Sequence, residues 1–145
     1  MPGIVVGVNG SPNSARALDW AMGHAAALKV ALTVMAVHEV PKSYWGGIPV
    51  TGPAEPSVLD TVRHAAQEMA QQSAAKLGEV QPPAYQVVAV SGFVVRELVQ
   101  ASQKADLIVI GTPSGSTLSR LVMGSVSNEV VQHSACPVVI VPRRS

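Results

Sequence analysis

Apolar residues recur along this chain in two rhythms. Five short runs, Gly3–Asn9, Ala31–His38, Tyr85–Val90, Asp106–Ile110 and Pro137–Val141, are continuous rather than alternating and rich in valine and isoleucine. Strands buried on both faces of a parallel sheet read this way. Between the runs, apolar positions fall three and four apart, which gathers side chains on one helix face. Asn13–Leu28 places Ala17, Leu18, Ala21, Met22, Ala25 and Leu28 on such a face. Ser57–Leu77 does the same with Leu59, Val62, Ala66, Met69, Ser73 and Leu77. Shorter helices are expected over Val94–Gln103 and Ser125–His133. Ser11 or Asn13 suits the cap of the first helix, with Pro12 in its opening turn. Strict alternation of strand and helix predicts an α/β fold: a doubly wound, five-stranded parallel sheet with right-handed crossovers and helices on both faces.

One connection breaks the rhythm. Glu39–Pro56, "EVPKSYWGGIPVTGPAEP", is too rich in proline and glycine for a helix or a central strand. Loops of this length in compact domains are usually functional or mobile. Tyr44 and Trp45 within it either close over a ligand or pack the loop onto the body.

Composition narrows the class. With 145 residues, 48% apolar and 13% charged, the chain is expected to form a single domain (1–145) around one core. A net charge of +1, with no basic cluster beyond Arg143-Arg144, argues against nucleic acid and membrane surfaces as partners. The apolar runs are too short to span a bilayer and no signal-peptide pattern opens the chain, so a cytoplasmic location is expected. Cys136 is alone, which excludes an internal disulfide and a cysteine metal site, and it reads as a buried core thiol. His24, His38, His64 and His133 are scattered, without metal-like spacing. His38 ends the second strand and reads as a solvated or hydrogen-bonded loop residue. Glu129 reads as a first-turn acid suited to the helix dipole. No Ser/His/acid set can be assembled, so no catalytic residue is assigned.

Two loops carry the candidate chemistry. In an open α/β sheet, ligands sit beyond the carboxyl ends of the strands, where strand order reverses. The first loop, "VNGSPNS", comprises Val8, Asn9, Gly10, Ser11 and the three residues after them. The second, "GTPSGS", includes Gly111, Thr112, Ser114 and Gly115. Small residues allow close backbone approach, and successive N–H groups form anion-binding nests. Gly124, Ser125 and Val126 then open the last helix, whose N-terminus carries partial positive charge. The stretch has no Walker-type lysine, so the charge of a phosphate would be met by backbone donors, the helix end and a divalent cation such as Mg²⁺ held by the phosphates rather than by side chains.

Three blocks, "IVVGVNGSPNSARALDWA", "ADLIVIGT" and "GSVSNEVVQHSACPVVIVP", together resemble the universal stress protein family, and the resemblance runs from Gly3 to Val141. It implies a flavodoxin-like sheet with strand order 3-2-1-4-5, which sets the two loops side by side at the switch point. It implies adenine-nucleotide binding, ATP in particular, by a regulatory stress-response module with little or no catalytic activity. The backbone of Val37 would then meet the adenine edge. It further implies a homodimer formed by antiparallel pairing of the apolar edge strand Pro137–Val141 with its copy, in keeping with the tendency of exposed edges to find partners. The alternatives are a nucleotide-free dimeric scaffold and a slow ATPase.

The family's nucleotide-binding branch carries Gly-x2-Gly-x9-Gly-Ser/Thr. Gly111, Gly124 and Ser125 match it, whereas Ser114 stands where the middle glycine belongs and Gly115 follows one residue late. Asn9 stands where the branch usually has an aspartate that contacts the nucleoside. If position 114 needs φ > 0, serine is strained there by roughly 1 kcal/mol or more, and Gly115 takes the turn instead. If it needs only a small residue, the Ser114 hydroxyl adds a donor. The displaced glycine favours the first account, and with it weaker binding than in the typical branch.

Overall fold

The computed structural model describes residues 3–39, 43–45, 48–50, 56–112 and 124–142, with backbone alone at 39, 43–45, 48–50, 56 and 57. Strands β1 (Ile4–Val8), β2 (Leu32–Glu39), β5 (Tyr85–Gly92), β6 (Leu107–Gly111) and β7 (Val138–Val141) form a sheet of order β5-β2-β1-β6-β7. All four pairings are parallel. Counting these five strands alone, the order is 3-2-1-4-5, the flavodoxin-like arrangement. β5 continues two residues past Val90, because Ser91 and Gly92 stay paired with His38 and Glu39.

Helices α1 (Pro12–Leu28) and α2 (Pro56–Ala75) cover one face of the sheet; α3 (Val94–Ser102) and α4 (Ser125–His133) cover the other. The alternation of side chains along each strand divides the core accordingly. Ile4, Val6 and Val8 join Leu32, Val34 and Ala36 beneath α1 and α2, whereas Val5, Met35, Ile108 and Ile110 pack with Leu98 and Val130. The tight seat of α2 comes from Ala66, Ala70 and Ala74, all buried. An ion pair on the surface, Lys76 Nζ to Asp19 Oδ2 at 2.9 Å, joins α2 to α1.

Between β2 and α2, the residues expected to form a plain loop include a small antiparallel hairpin, β3 (Ser43–Trp45) with β4 (Ile48–Val50), separate from the main sheet. The side chains of Tyr44 and Trp45 lie outside the described residues. Cys136 is half-buried rather than buried, because the turn leading into β7 leaves it at the rim of the core. Glu129 is exposed and falls one turn into α4, so no acid stands in that helix's first turn. His24 is exposed and stacks on Trp20 with ring centroids 3.8 Å apart.

The end of α1 departs most clearly from the helical pattern. Leu28, expected on the buried face, is 61% exposed. Lys29 adopts the left-handed conformation (φ 58°, ψ 45°) and reverses the chain, its N–H donating to Ala25 and Ala26 carbonyls. Val30 N–H then donates to Ala25 O at 3.0 Å, and Val30 takes the seat against the core that Leu28 would have filled. This is a helix-ending turn that ordinarily uses glycine, since a Cβ in this region costs roughly 1 kcal/mol. Lys29→Gly is therefore expected to stabilise the fold by about 0.5–1 kcal/mol, after allowing for the greater unfolded-state freedom of glycine. The urea midpoint should rise at unchanged slope; a fall would show that Lys29 contributes something beyond its backbone.

Candidate functional site

The carboxyl ends of β1, β2 and β6 open into a cavity of about 490 Å³. It lies where the chain leaves β1 for one face and β6 for the other, the switch point of the sheet. Its floor is set by a close contact: a Cβ on Gly111 would come 2.7 Å from the backbone oxygen of Asn13. Asn13 is buried, and its Nδ2 donates to Thr112 O at 2.8 Å. The first turn of α1 is thereby bolted to the end of β6.

Among the helices that begin at this edge of the sheet, α1 and α4 are finished differently. At α1, Ser11 caps the helix: its Oγ accepts from Ser14 N–H at 3.1 Å, while Ser14 Oγ donates to Ser11 O at 2.9 Å. Gly10, at φ +81°, makes the turn that brings Ser11 into place. At α4 the cap residue is Gly124, which has no side chain to offer. Among the described residues nothing accepts from the N–H groups of Ser125, Val126 or Ser127. An open helix N-terminus of this kind attracts an anion. Gly124 itself sits at φ −66°, ψ 161°, a conformation open to any residue, so its backbone does not demand glycine.

Of the residues proposed from sequence, Val8, Asn9, Gly10, Ser11, Val37, Gly111, Thr112 and Val126 line the cavity. Gly124 and Ser125 stand at the adjoining helix start without lining it. Ser114 and Gly115 lie outside the described residues. Sequence reasoning missed the walls. Val62, Ala66 and Met69 of α2, on the helix face expected from their spacing, line the cavity as well as packing against the core. Val94 and Leu98 of α3 and Ser127 of α4 complete the opposite wall. His38 is a strand residue, half-buried and lining the cavity, rather than a solvated loop histidine. The described lining contains no Asp, Glu, Lys or Arg. The described part of the lining thus offers an apolar surface with neutral polar groups.

This geometry can be set against known proteins. The model of the universal stress protein family matches residues 2–142. The chain belongs to this family. A universal stress protein of Mycolicibacterium smegmatis is 30% identical over 139 residues, covering 96% of this chain and 47% of that protein. This chain thus spans about half the length of the mycobacterial relatives it matches. A universal stress protein of Methanocaldococcus jannaschii is 30% identical over 142 residues, covering 97% of this chain and 81% of the other. Among solved structures, a universal stress protein in complex with cAMP superposes with a TM-score of 0.67 at 26% identity, covering 97% and 96% of the two chains.

The Gly111 contact is testable without a ligand. Adding a methyl group there pushes against backbone rather than a movable side chain, so Gly111→Ala is expected to cost about 1–3 kcal/mol. Thermal unfolding measures it; an unchanged midpoint would mean that α1 can retreat from β6 freely.

Proposed function

We propose that this universal stress protein module binds an adenine nucleotide in the cavity and acts as a regulatory or sensing unit with little or no catalytic activity. The observation that carries the reading is the uncapped α4 N-terminus beside the Gly111 contact, which together offer an anion a site built from backbone. The apolar remainder of the cavity suits a base. The ligand of the cAMP-bound relative belongs to the same class. In this arrangement the phosphate end lies towards Gly111, Gly124 and Ser125, and the base lies at the end of β2 beside Val37. ATP fits the scheme, with Mg²⁺ carried by its phosphates; Ser125 and Ser127 both carry hydroxyls near the start of α4, and Ser127 lines the cavity. Asn9, Gly10 and Ser11 border the middle of the ligand. Residues 113–123, with Ser114 and Gly115, would complete the phosphate cradle. A cytoplasmic location and a single domain are part of this proposal; among the described residues no helix is long and apolar enough to cross a membrane. A slow ATPase has less support, since no carboxylate of the described lining could act as a base.

Nucleotide retained through purification is the direct test. Gly124→Val is the matched control, because this backbone conformation admits valine while the added side chain crowds the anion. It is expected to lower stability by no more than about 1 kcal/mol and to abolish binding. Unchanged affinity in titration calorimetry would place the ligand elsewhere.

A homodimer through β7 is also proposed, and it supports the second reading, a scaffold that works through protein contacts. Ile108 N–H donates to Pro137 O and Thr112 N–H to Val141 O. In a parallel ladder alternate residues face the same neighbour, so 137, 139 and 141 face β6. Val138 and Ile140 thus present N–H and C=O groups to the open edge of the sheet. Ile140→Pro removes an outward donor without breaking the β6 ladder. It is expected to convert a dimer at micromolar concentration into a folded monomer by light scattering. A dimer that survives the substitution uses another surface.

A further inference from the structure

Helices α3 and α4 lie side by side on the sheet and leave a groove of about 670 Å³ between them. It is separate from the cavity at the strand ends and shares only Val94 with it. The α3 side is apolar: Val95 and Val99 stand one turn apart, and Phe93, half exposed, precedes them. Arg96 rises beside them, exposed. The α4 side is polar, formed by Glu129 and, one turn on, His133, both exposed. Among the described residues neither Arg96 nor Glu129 has an ion-pair or hydrogen-bond partner. The ion pairs that do form there, Arg63 with Asp60 and Lys76 with Asp19, belong to α1 and α2. An apolar strip with unclaimed charges at its rims marks a contact surface.

The arrangement of charge says which partner fits. One rim carries a cation and the other an anion, so a ligand of either sign would meet its like on one side. The groove is complementary instead to its own two-fold image. As crossover helices of a parallel sheet, α3 and α4 both run antiparallel to the strands and so parallel to each other. Half a turn about an axis along the groove therefore lays α3 of one copy on α4 of the next, in the same direction. Val94 and Val126 both line the cavity at the carboxyl edge and mark a common level. Arg96 stands two residues beyond the first and Glu129 three beyond the second, levels about 1.5 Å apart. The rotation thus brings Arg96 of each copy to the partner's Glu129 and closes the apolar strip beneath both pairs.

We propose that the α3–α4 groove is a self-association surface, occupied by the same groove of a second copy of this chain. It is distinct from the open edge of β7, and a chain that used both would assemble beyond the dimer.

The test is sedimentation equilibrium at high micromolar concentration on the parent, Arg96→Glu, Glu129→Arg and an equimolar mixture of the two variants. Circular dichroism verifies that each is folded, as expected for exposed positions. Either reversal alone sets like charges against each other at both pairs. It is expected to weaken association at least about tenfold and to halve the mass of the parent assembly. In the mixture one chain presents two acids and the other two bases, so both pairs are again opposite and the parent mass is expected to return. An ion pair within one chain could not produce that recovery. A monomeric parent, a mass that neither reversal changes, or reversals that mixing does not rescue would each overturn the proposal. The β7 edge is judged separately: a parent that loses mass with Ile140→Pro but with neither reversal keeps that interface and rejects the groove.

Discussion

The contact between Gly111 and the first turn of α1 is the constraint on which the site depends. Two segments almost a hundred residues apart in sequence meet there at backbone distance, and the Asn13 side chain closes the junction with a bond to Thr112 O. The absence of a side chain at 111 lets the helix sit against the strand end; the buried amide then fixes its height. Everything placed by the β1–α1 loop inherits this register, including the cap at Ser11, the turn at Gly10 and the amide of Asn9. A looser junction would leave the same residues present without a common geometry.

The same economy governs the electrostatics. The described lining of the cavity carries no acidic, lysine or arginine side chain, so oriented dipoles remain to meet charge. Capping divides the labour between the helices. α1 is capped by the Ser11 side chain, whereas α4 begins with glycine, and among the described residues nothing accepts from its first N–H groups. Backbone donors held by secondary structure would lose little entropy on meeting an anion.

Much of this was legible in the sequence because each signal was local. Valine-rich runs marked the buried strands, the three-four spacing marked α1 and α2, and small residues at 8–14 and 111–112 marked the loops that border the cavity. The strand order followed only from family resemblance, since periodicity does not say which strands are neighbours. What escaped notice depends on tertiary context. Leu28 obeys the helical pattern, yet the left-handed Lys29 turns the chain before that face closes. Val62, Ala66 and Met69 have the composition of ordinary core, and nothing in their spacing shows that this core ends at an opening. The parity of β7, which decides whether Val138 and Ile140 face outward, required two hydrogen bonds from β6.

The cavity's position suggests how a bound ligand would be reported to the rest of the fold. It straddles the carboxyl edge of the sheet and draws its walls from both hydrophobic clusters. Val62, Ala66 and Met69 belong to the face packed by α1 and α2; Met35, Leu98 and Val126 belong to the face packed by α3 and α4. A strand sheet is stiff, so the two helical layers otherwise communicate little. A ligand in the cavity would touch both at once and lower the free energy of the arrangement that accommodates it, by an amount set by its concentration relative to its dissociation constant. Small alanines along α2 let that helix sit close to the sheet. Displacing it therefore moves backbone as well as side chains, because close-packed interiors have little slack. Occupancy at the loops would in this way bear on the relative placement of helices on opposite faces.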